Sequence, residues 1–200
     1  VVYGGSSSAY GDQPTPAKHE RLLPSPLSPY AAAKLAGEFY CQAFTATYGL
    51  ETVTLRYFNV FGPRQDPNGQ YAAVIPKFIT AILAGQRPTI FGDGRQSRDF
   101  TYIDNVIQGN LLAAEAPAAV GRTINIACGK SYNLLELVAG INRALGTQVE
   151  PVFAPARLGD VRDSLADISL ARELLGFEPI IDFEEGLRRT VVYYRQVSSQ

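Results

Sequence analysis

Strand-like and helix-like segments alternate along the whole chain, and this order limits the folds that the chain can adopt. β-Branched residues are frequent in the stretches 52–57 and 122–126, which favours strands there. Longer helix-like stretches stand between such segments, and two of them stop at Gly49 and Gly146. Strands that alternate with helices are typical of a mostly parallel sheet covered by helices. The sequence therefore predicts the α/β class.

Composition and charge argue against several functional classes. Of the 200 residues, 46% are hydrophobic and 18% are charged, and the net charge is −1, which is ordinary for a globular core. Runs of lysine and arginine do not exceed two residues, as at Arg188-Arg189, so nucleic acid is not an expected partner. No apolar stretch approaches the ~20 residues that span a bilayer, so no membrane partner is expected either.

The few cysteine and histidine residues do not form a metal-binding pattern. Cys41 and Cys128 stand far apart without a Cys-x-x-Cys spacing, and His19 is the single histidine. Free thiols in a reducing cytoplasm are the favoured interpretation, and a disulfide or a metal site is the alternative. We expect no metal.

A tyrosine and a lysine share one face of a predicted helix. Ser28-Pro29 is a helix start, and the helix is predicted to run to about Tyr48. Tyr30 and Lys34 stand four positions apart and therefore lie on the same face. A phenol is a poor base at neutral pH, and a nearby ammonium favours its ionised form. Tyr30 is a candidate general base. A core aromatic beside a solvated lysine is the alternative on this pattern alone.

A run of small hydroxyl residues, Ser6-Ser7-Ser8, follows the strand that we predict at Val1 to Tyr3. Ligands of α/β sheets bind at the carboxyl ends of the strands. A serine hydroxyl at that place can bond to a substrate hydroxyl, or to the oxyanion that forms when this hydroxyl is oxidised. A plain turn is the alternative.

Several motifs follow one another in a characteristic order. They are Ser6-Ser7-Ser8, then Ser-Pro-Tyr-x-x-x-Lys over residues 28–34, Leu-Arg-Tyr-Phe-Asn-Val-Phe-Gly-Pro over 55–63, and Arg98-Asp99-Phe100. This order resembles the extended short-chain dehydrogenase/reductase family, whose nucleotide-sugar epimerases and dehydratases carry it. The likeness continues through residues 159–162 and so covers nearly the whole chain. The stretches 64–69 and 159–167 look most like the UDP-N-acetylglucosamine 4-epimerases of bacterial surface-polysaccharide pathways.

The resemblance implies part of a Rossmann-type doubly wound parallel sheet with a smaller α/β substrate-binding lobe. Residues 1–60 and 98–116 would form the carboxyl-terminal half of the NAD-binding domain, and residues 61–97 and 117–200 the nucleotide-sugar-binding lobe. NAD is the implied cofactor. The chain opens in mid-strand at Val1 and carries no Gly-x-Gly-x-x-Gly before a helix. We therefore expect the amino-terminal glycine-rich half to be absent and the 200 residues alone to be inactive.

The resemblance also implies a role for each matched position. Catalytic roles are implied for Tyr30, Lys34, which lowers the pKa of Tyr30, and Ser6. Cofactor contacts are implied for Tyr30, Lys34 and Tyr57. Substrate contacts are implied for Ser6, Ser7, Ser8, Asn59, Gln65, Ala73, Val74, Arg98, Arg157, Asp160 and Ser164. Taken singly, Arg98 and Asp99 could instead form a surface ion pair, Asn59 could cap a turn, and Arg157 and Asp160 could be solvated.

The resemblance favours one reaction within the family. Its 4,6-dehydratases carry an Asp-Glu pair after the catalytic threonine, whereas Ser7-Ser8 stand there in this chain. We therefore expect 4-epimerisation of a UDP-hexose by transient oxidation at C4. The small side chain of Ser164 leaves room for an acetamido group, which favours UDP-GlcNAc and UDP-GalNAc in addition to UDP-Glc and UDP-Gal. Another dehydratase or reductase of the family, or an inert fragment, is the alternative.

The same helix also suggests an assembly. Leu35, Phe39, Ala43 and Ala46 form an apolar stripe beyond the catalytic face. In the family this helix packs against a second subunit, so the resemblance implies a homodimer through the helix that carries Tyr30 and Lys34. An ordinary core contact is the alternative.

Overall fold

The computed structural model describes residues 1–67, 73–156 and 161–198. Within these ranges the chain forms ten short strands and six α-helices. The strands are β1 (Val2–Ser6), β2 (Val53–Tyr57), β3 (Val60–Phe61), β4 (Thr89–Phe91), β5 (Ser97–Arg98), β6 (Thr101–Tyr102), β7 (Thr123–Ile126), β8 (Tyr132–Asn133), β9 (Val152–Ala154) and β10 (Asp163–Ser164). The helices are α1 (Pro29–Tyr48), α2 (Val74–Leu83), α3 (Ile103–Glu115), α4 (Leu134–Leu145), α5 (Ser169–Leu175) and α6 (Phe183–Ser198). The predicted α/β class is confirmed.

The largest regular unit is a three-stranded parallel sheet in the order β1-β2-β7. The strands end level with one another, because Ser6 pairs with Tyr57 and Tyr57 pairs with Ile126. The carboxyl ends of all three strands therefore form one rim, the place where α/β sheets bind ligands.

Helices α1 and α3 cover opposite faces of this sheet. Arg56 of β2 donates hydrogen bonds to Glu38 of α1, whereas the next residue, Tyr57, donates to Asn110 of α3. Successive side chains of a strand point to opposite faces, so the two helices cannot share one face. This is the doubly wound arrangement that the sequence predicts.

Both ends of α1 are encoded locally. The hydroxyl of Ser28 accepts a hydrogen bond from the Ala31 N–H at 3.1 Å, and Pro29 occupies the first helical position. The helix ends at Gly49, whose φ of 68° lies in the left-handed region that glycine adopts at little cost. The predicted start and end of this helix are both confirmed.

A second core, rich in aromatic rings, lies among α2, α4 and α6. Phe61 packs edge-on against Phe100 and Phe183, at centroid distances of 6.3 Å and 5.9 Å. Next to this core, β5 lies between β10, which is parallel to it, and β8, which is antiparallel. These two-residue strands join segments that are distant in the sequence.

The predicted division of the chain differs from the observed packing at two elements. The prediction assigns residues 117–200 to the substrate lobe, but β7 within this range pairs with β2. Ala171 of α5 and Phe177 after it also pack in the core around the three-stranded sheet. Beyond these two elements the division stays a prediction.

The described ranges contain no helix that is both long enough and apolar enough to cross a membrane. In the same residues, His, Cys, Asp and Glu side chains form no cluster that could hold a metal ion. Cys41 and Cys128 are free and partly buried, and burial raises the pKa of the Cys128 thiol to about 12.

Candidate active site

Tyr30 and Lys34 lie on the first turns of α1, which packs against β1 and the turn that follows it. Lys34 Nζ donates to the carbonyl oxygen of Gly4 at 3.0 Å and lies 6.0 Å from the centroid of the Tyr30 ring. Tyr30 is 42% exposed, so a bound molecule can reach its ring. The structure therefore brings a phenol and an ammonium together near the carboxyl end of β1.

The three serines lie at the end of β1 and in the 3₁₀ turn Ser7–Tyr10. Ser6 Oγ accepts hydrogen bonds from the Ser8 N–H at 3.2 Å and from the Ser8 hydroxyl at 2.8 Å. Because Ser6 Oγ is the acceptor in both, its own O–H stays able to donate to a ligand. This geometry orients Ser6 at the rim of the sheet.

Tyr57 ends β2 at the same rim, but packing occupies its side chain. Its hydroxyl donates to Asn110 Oδ1 at 2.9 Å, and burial raises the pKa of the phenol. A Cβ on Gly4 would lie 3.1 Å from the Tyr57 ring, so glycine lets the ring lie close to β1. The implied cofactor contact of Tyr57 stays a prediction, and its backbone would have to make that contact.

A cavity of about 230 Å³ lies beside Asn59, two residues beyond β2. Four of the predicted substrate residues line it, namely Asn59, Ala73, Val74 and Arg98. Most of the remaining wall is apolar, as at Phe78 and Phe91. Apolar walls with a few polar groups are typical of sites that hold a ring-containing small molecule.

The polar side of the cavity is held by contacts between distant segments. Asn59 has a φ of 34° and donates from Nδ2 to the Ser164 hydroxyl at 3.3 Å. Arg98 Nη1 donates to the carbonyl oxygens of Ser97 and Arg162 at 2.8 Å and 3.0 Å. The structure thus places Ser164 beside a residue that lines the cavity.

Gln65 is held by contacts within the chain. Its side-chain Nε2 donates to the Val60 carbonyl oxygen at 3.1 Å, and its backbone carbonyl oxygen accepts a hydrogen bond from the Tyr194 hydroxyl. Gln65 is not among the residues that line the cavity. Nε2 carries two N–H donors, so one of them remains able to donate beside the bond to Val60, and the contact of Gln65 with the sugar stays a prediction.

Asp99 belongs to the Arg98-Asp99-Phe100 motif, and the alternative that it forms a surface ion pair with Arg98 is wrong, because its side chain is buried. It is 0% exposed. Its carboxylate accepts hydrogen bonds from the N–H groups of Cys128, Gly129 and Ala166 at 2.9 Å, 3.0 Å and 3.2 Å. Burial raises the pKa of Asp99 to about 6, and these three N–H groups oppose the rise. In the sequence, the burial of Asp99 is indicated by the apolar residue Phe100, which follows it directly.

Two predicted substrate residues, Arg157 and Asp160, lie outside the described residues. Their roles stay predictions.

A parallel sheet with helices on both faces is the architecture of the dinucleotide-binding α/β folds, and the tyrosine–lysine pair lies near the carboxyl rim where such folds bind their ligands. The model of the NAD dependent epimerase/dehydratase family matches residues 1–127. The chain belongs to this family.

Curated relatives and solved structures agree with this assignment. The UDP-glucose 4-epimerase of Mycolicibacterium smegmatis is 40% identical over 199 residues, which cover 99% of this chain and 63% of the relative. The UDP-N-acetylglucosamine 4-epimerase of Methanobrevibacter ruminantium, solved with UDP-N-acetylmuramic acid, has a TM-score of 0.93 at 45% identity, over 100% of this chain and 63% of that one. The UDP-glucuronic acid 4-epimerase of Bacillus cereus, solved with UDP-glucuronic acid and NAD, has a TM-score of 0.90 at 36% identity, over 98% of this chain and 61% of that one. The chain thus has the Rossmann-type epimerase fold, over 63% of the length of the first of these relatives.

The residues present fit the nicotinamide end of NAD, the cofactor on which the family depends. An ammonium carries three donors, so Lys34 keeps further N–H groups beyond its bond to Gly4. The neighbouring ring of Tyr30 is accessible. A glycine-rich Gly-x-Gly-x-x-Gly turn for the pyrophosphate does not occur in these 200 residues.

Proposed function

We propose that this chain provides the catalytic pair and the sugar-nucleotide cavity of an NAD-dependent 4-epimerase that acts on a UDP-hexose. The observation that carries the proposal is the Lys34 ammonium, held by Gly4 and 6.0 Å from the ring centroid of the exposed Tyr30. Oxidation of a secondary alcohol needs a base at the hydroxyl and an acceptor for the hydride. NAD, when bound, takes up the hydride from C4 and returns it.

Residues of this chain remove the proton from the sugar O4 and return it. Tyr30 as phenolate takes the proton from the hydroxyl and gives it back after the hydride has returned. The positive charge of Lys34 stabilises the phenolate. Ser6, whose O–H can donate, stabilises the developing charge on O4. Tyr30, Lys34 and Ser6 can keep the same positions during oxidation and during reduction at C4, because each group acts in both steps.

The cavity beside Asn59 is the proposed anchor of the UDP group. Holding the nucleotide through remote contacts lets the 4-keto sugar turn over and present its other face to the hydride. We place Ala73, Val74, Arg98, Arg157 and Asp160 at the nucleotide, and Ser7 and Ser8 at the sugar. Relatives are named for UDP-glucose, UDP-glucuronate and UDP-N-acetylglucosamine. We propose UDP-GlcNAc and UDP-GalNAc as the preferred pair, since Ser164 is small.

A homodimer through α1 is part of the proposal. Tyr40, Phe44 and Tyr48 recur every fourth residue and are 68%, 45% and 75% exposed, so they form one apolar stripe on the helix. Of the predicted stripe, Phe39 is also exposed, whereas Leu35 is buried within the chain itself. A stripe of exposed aromatic rings on one helix is typical of a surface that binds another protein chain.

The two free thiols suit a reducing cytoplasm.

A product assay with the full protein that carries this chain tests the proposal. The purified protein is incubated separately with UDP-GlcNAc, UDP-glucose and UDP-glucuronate, and the products are separated and examined by NMR. We expect the C4 epimer without a change of mass. Loss of water would instead indicate a dehydratase, and loss of carbon dioxide from UDP-glucuronate a decarboxylase. NAD released on denaturation would show that the cofactor is held tightly.

A further inference from the structure

Lys34 lies between two tyrosine rings, and the proposed mechanism uses one of them. Its Nζ is 6.0 Å from the ring centroid of Tyr30 and 5.7 Å from that of Tyr3 on β1. Both distances lie within the ~6 Å over which a ring face attracts an ammonium. Tyr30 is exposed, whereas Tyr3 is half-buried beneath α1. The contact of the Lys34 ammonium with Tyr3 is therefore the more buried of its two ring contacts.

Tyr3 also contacts the backbone of α1 at the same lysine. Its hydroxyl donates to the Lys34 carbonyl oxygen at 3.3 Å. Gly37, one turn further along, makes this approach possible, because a Cβ at that position would overlap the Tyr3 hydroxyl. Gly4, the neighbour of Tyr3, accepts the hydrogen bond from Lys34 Nζ. Two successive residues of β1 therefore hold both ends of the lysine.

The phenol of Tyr3 remains a hydrogen-bond donor. Burial raises its pKa, and the neighbouring Cys41, Tyr30 and Glu38 raise it further. Tyr3 is thus suited to hold the lysine and does not compete for the role of base.

We propose that Tyr3 is a positioning residue for catalysis: its hydroxyl holds the backbone of Lys34 and its ring attracts the Lys34 ammonium, and together they keep the ammonium at the distance from Tyr30 at which it stabilises the phenolate. This inference rests on the proposed function of Tyr30 and Lys34. Tyr3 itself takes no part in the proposed transfer of the proton or the hydride. Loss of the Tyr3 ring should change kcat and its pH dependence, and should leave the KM for the UDP-sugar nearly unchanged, because the cavity beside Asn59 is untouched.

Graded fluorination of the ring provides the test. Phenylalanine, then its mono-, di- and trifluoro derivatives, replace Tyr3 in the full protein. Fluorine withdraws electron density from the ring face but hardly changes its size, so folding is preserved while the attraction for the ammonium declines. From phenylalanine to the trifluoro ring we expect kcat to fall on the order of 3- to 10-fold. The acidic limb of the pH–rate profile should move to higher pH in step.

Tyr10 is the matched control, because its ring faces another cation. The guanidinium carbon of Arg56 lies 4.5 Å from the Tyr10 ring centroid. The same fluorinated residues at position 10 should lower the midpoint of thermal unfolding without moving the pH–rate profile. A series at position 3 that behaves like the series at position 10 would overturn the proposal.

A readout without turnover separates this inference from the proposed function. The NMR signals of the Lys34 ε-methylene group should carry ring-current shifts from both tyrosines, because both ring centroids lie within 6.0 Å of Nζ, and Tyr3→Leu should remove the contribution of Tyr3. Unchanged signals contradict the inference even in an active enzyme. A wild-type protein without any epimerase activity contradicts the proposed function, whereas loss of the shift would still confirm the position of Tyr3.

Discussion

The α1 face of the sheet and the cavity beside Asn59 are built in different ways. On the α1 face, a single helix and its adjacent strands supply the polar contacts, such as Lys34 to Gly4 and Glu38 to Arg56. At the cavity, Asn59 bonds to Ser164, although 105 positions separate them in the sequence. The first region follows from helix spacing and strand register. The second depends on how the loops and the second core come together.

The two regions should therefore affect different properties of the protein. Groups on the α1 face are held rigidly, so substitutions there should change kcat or the free energy of unfolding. The polar residues at the cavity, such as Asn59 and Ser164, lie in a loop and on a two-residue strand, so substitutions of these residues should change the choice of substrate. Each experiment below tests whether an effect stays within its own region.

The largest expected effect belongs to the catalytic pair. Tyr30→Phe removes the proposed base and keeps the ring, so kcat should fall by ~10²–10⁴. The KM for the UDP-sugar should hardly change, because the cavity is intact. Tyr193→Phe, on α6 against the second core, makes the same change away from α1 and is the control, which should keep full activity. Near-normal turnover of the Tyr30 variant would show that another group is the base.

The buried ion pair on the α1 face should govern stability. The side chains of Arg56 and Glu38 are 3% and 4% exposed and form two hydrogen bonds of 3.0 Å and 2.7 Å. Glu38→Ala leaves a buried guanidinium without its partner, which should lower the free energy of unfolding by about 3–5 kcal/mol. Urea denaturation measures this loss.

Two controls accompany that experiment. Glu185 forms an exposed pair with Arg188, and Glu185→Ala should have a much smaller effect. The double variant Glu38→Leu/Arg56→Met removes both charges and should recover most of the stability. A double variant as unstable as Glu38→Ala would mean that packing, and not an unpaired charge, causes the loss.

Asp99 is a buried carboxylate that should make stability depend on pH. The folded-state pKa of about 6 exceeds the usual ~3.9 of an aspartate, so the folded protein binds this proton more tightly than the unfolded chain. The contribution of Asp99 is therefore greatest below about pH 4 and is lost as the pH rises through about 6. The change amounts to about 2–3 kcal/mol.

Urea denaturation between pH 4 and pH 7 checks this, because Asp99→Asn removes the titrating group. The difference in unfolding free energy between wild type and variant should vary with pH in that window. Asp12→Asn, at an exposed position of the amino-terminal loop, is the matched Asp-to-Asn control. A difference for Asp99→Asn that stays constant across this window would contradict the raised pKa.

How much the sequence could predict follows the same division. The bounds of α1 and the face shared by Tyr30 and Lys34 were predictable, because the Ser28 cap, the closing Gly49 and the helical spacing are local signals. Two-residue strands such as β10 have no periodicity, so no pattern could indicate them. The bond from Gln65 to Val60 and the burial of Asp99 depend on tertiary packing. The cavity residues were predicted from the resemblance to a family, because no local pattern of the sequence indicates them.

The smallest expected effect concerns substrate choice at Ser164. Its hydroxyl accepts the bond from Asn59 at 3.3 Å, beside the cavity. Ser164→Tyr fills space that the acetamido group would need, and overfilling a site costs about 1–3 kcal/mol. The kcat/KM for UDP-GlcNAc should therefore fall about 10- to 200-fold relative to that for UDP-glucose. Ser164→Ala is the matched control: it removes the bond to Asn59 and keeps the space, so both substrates should be retained. Equal losses for both substrates with Ser164→Tyr, or no loss for either, would show that Ser164 does not limit the size of the sugar.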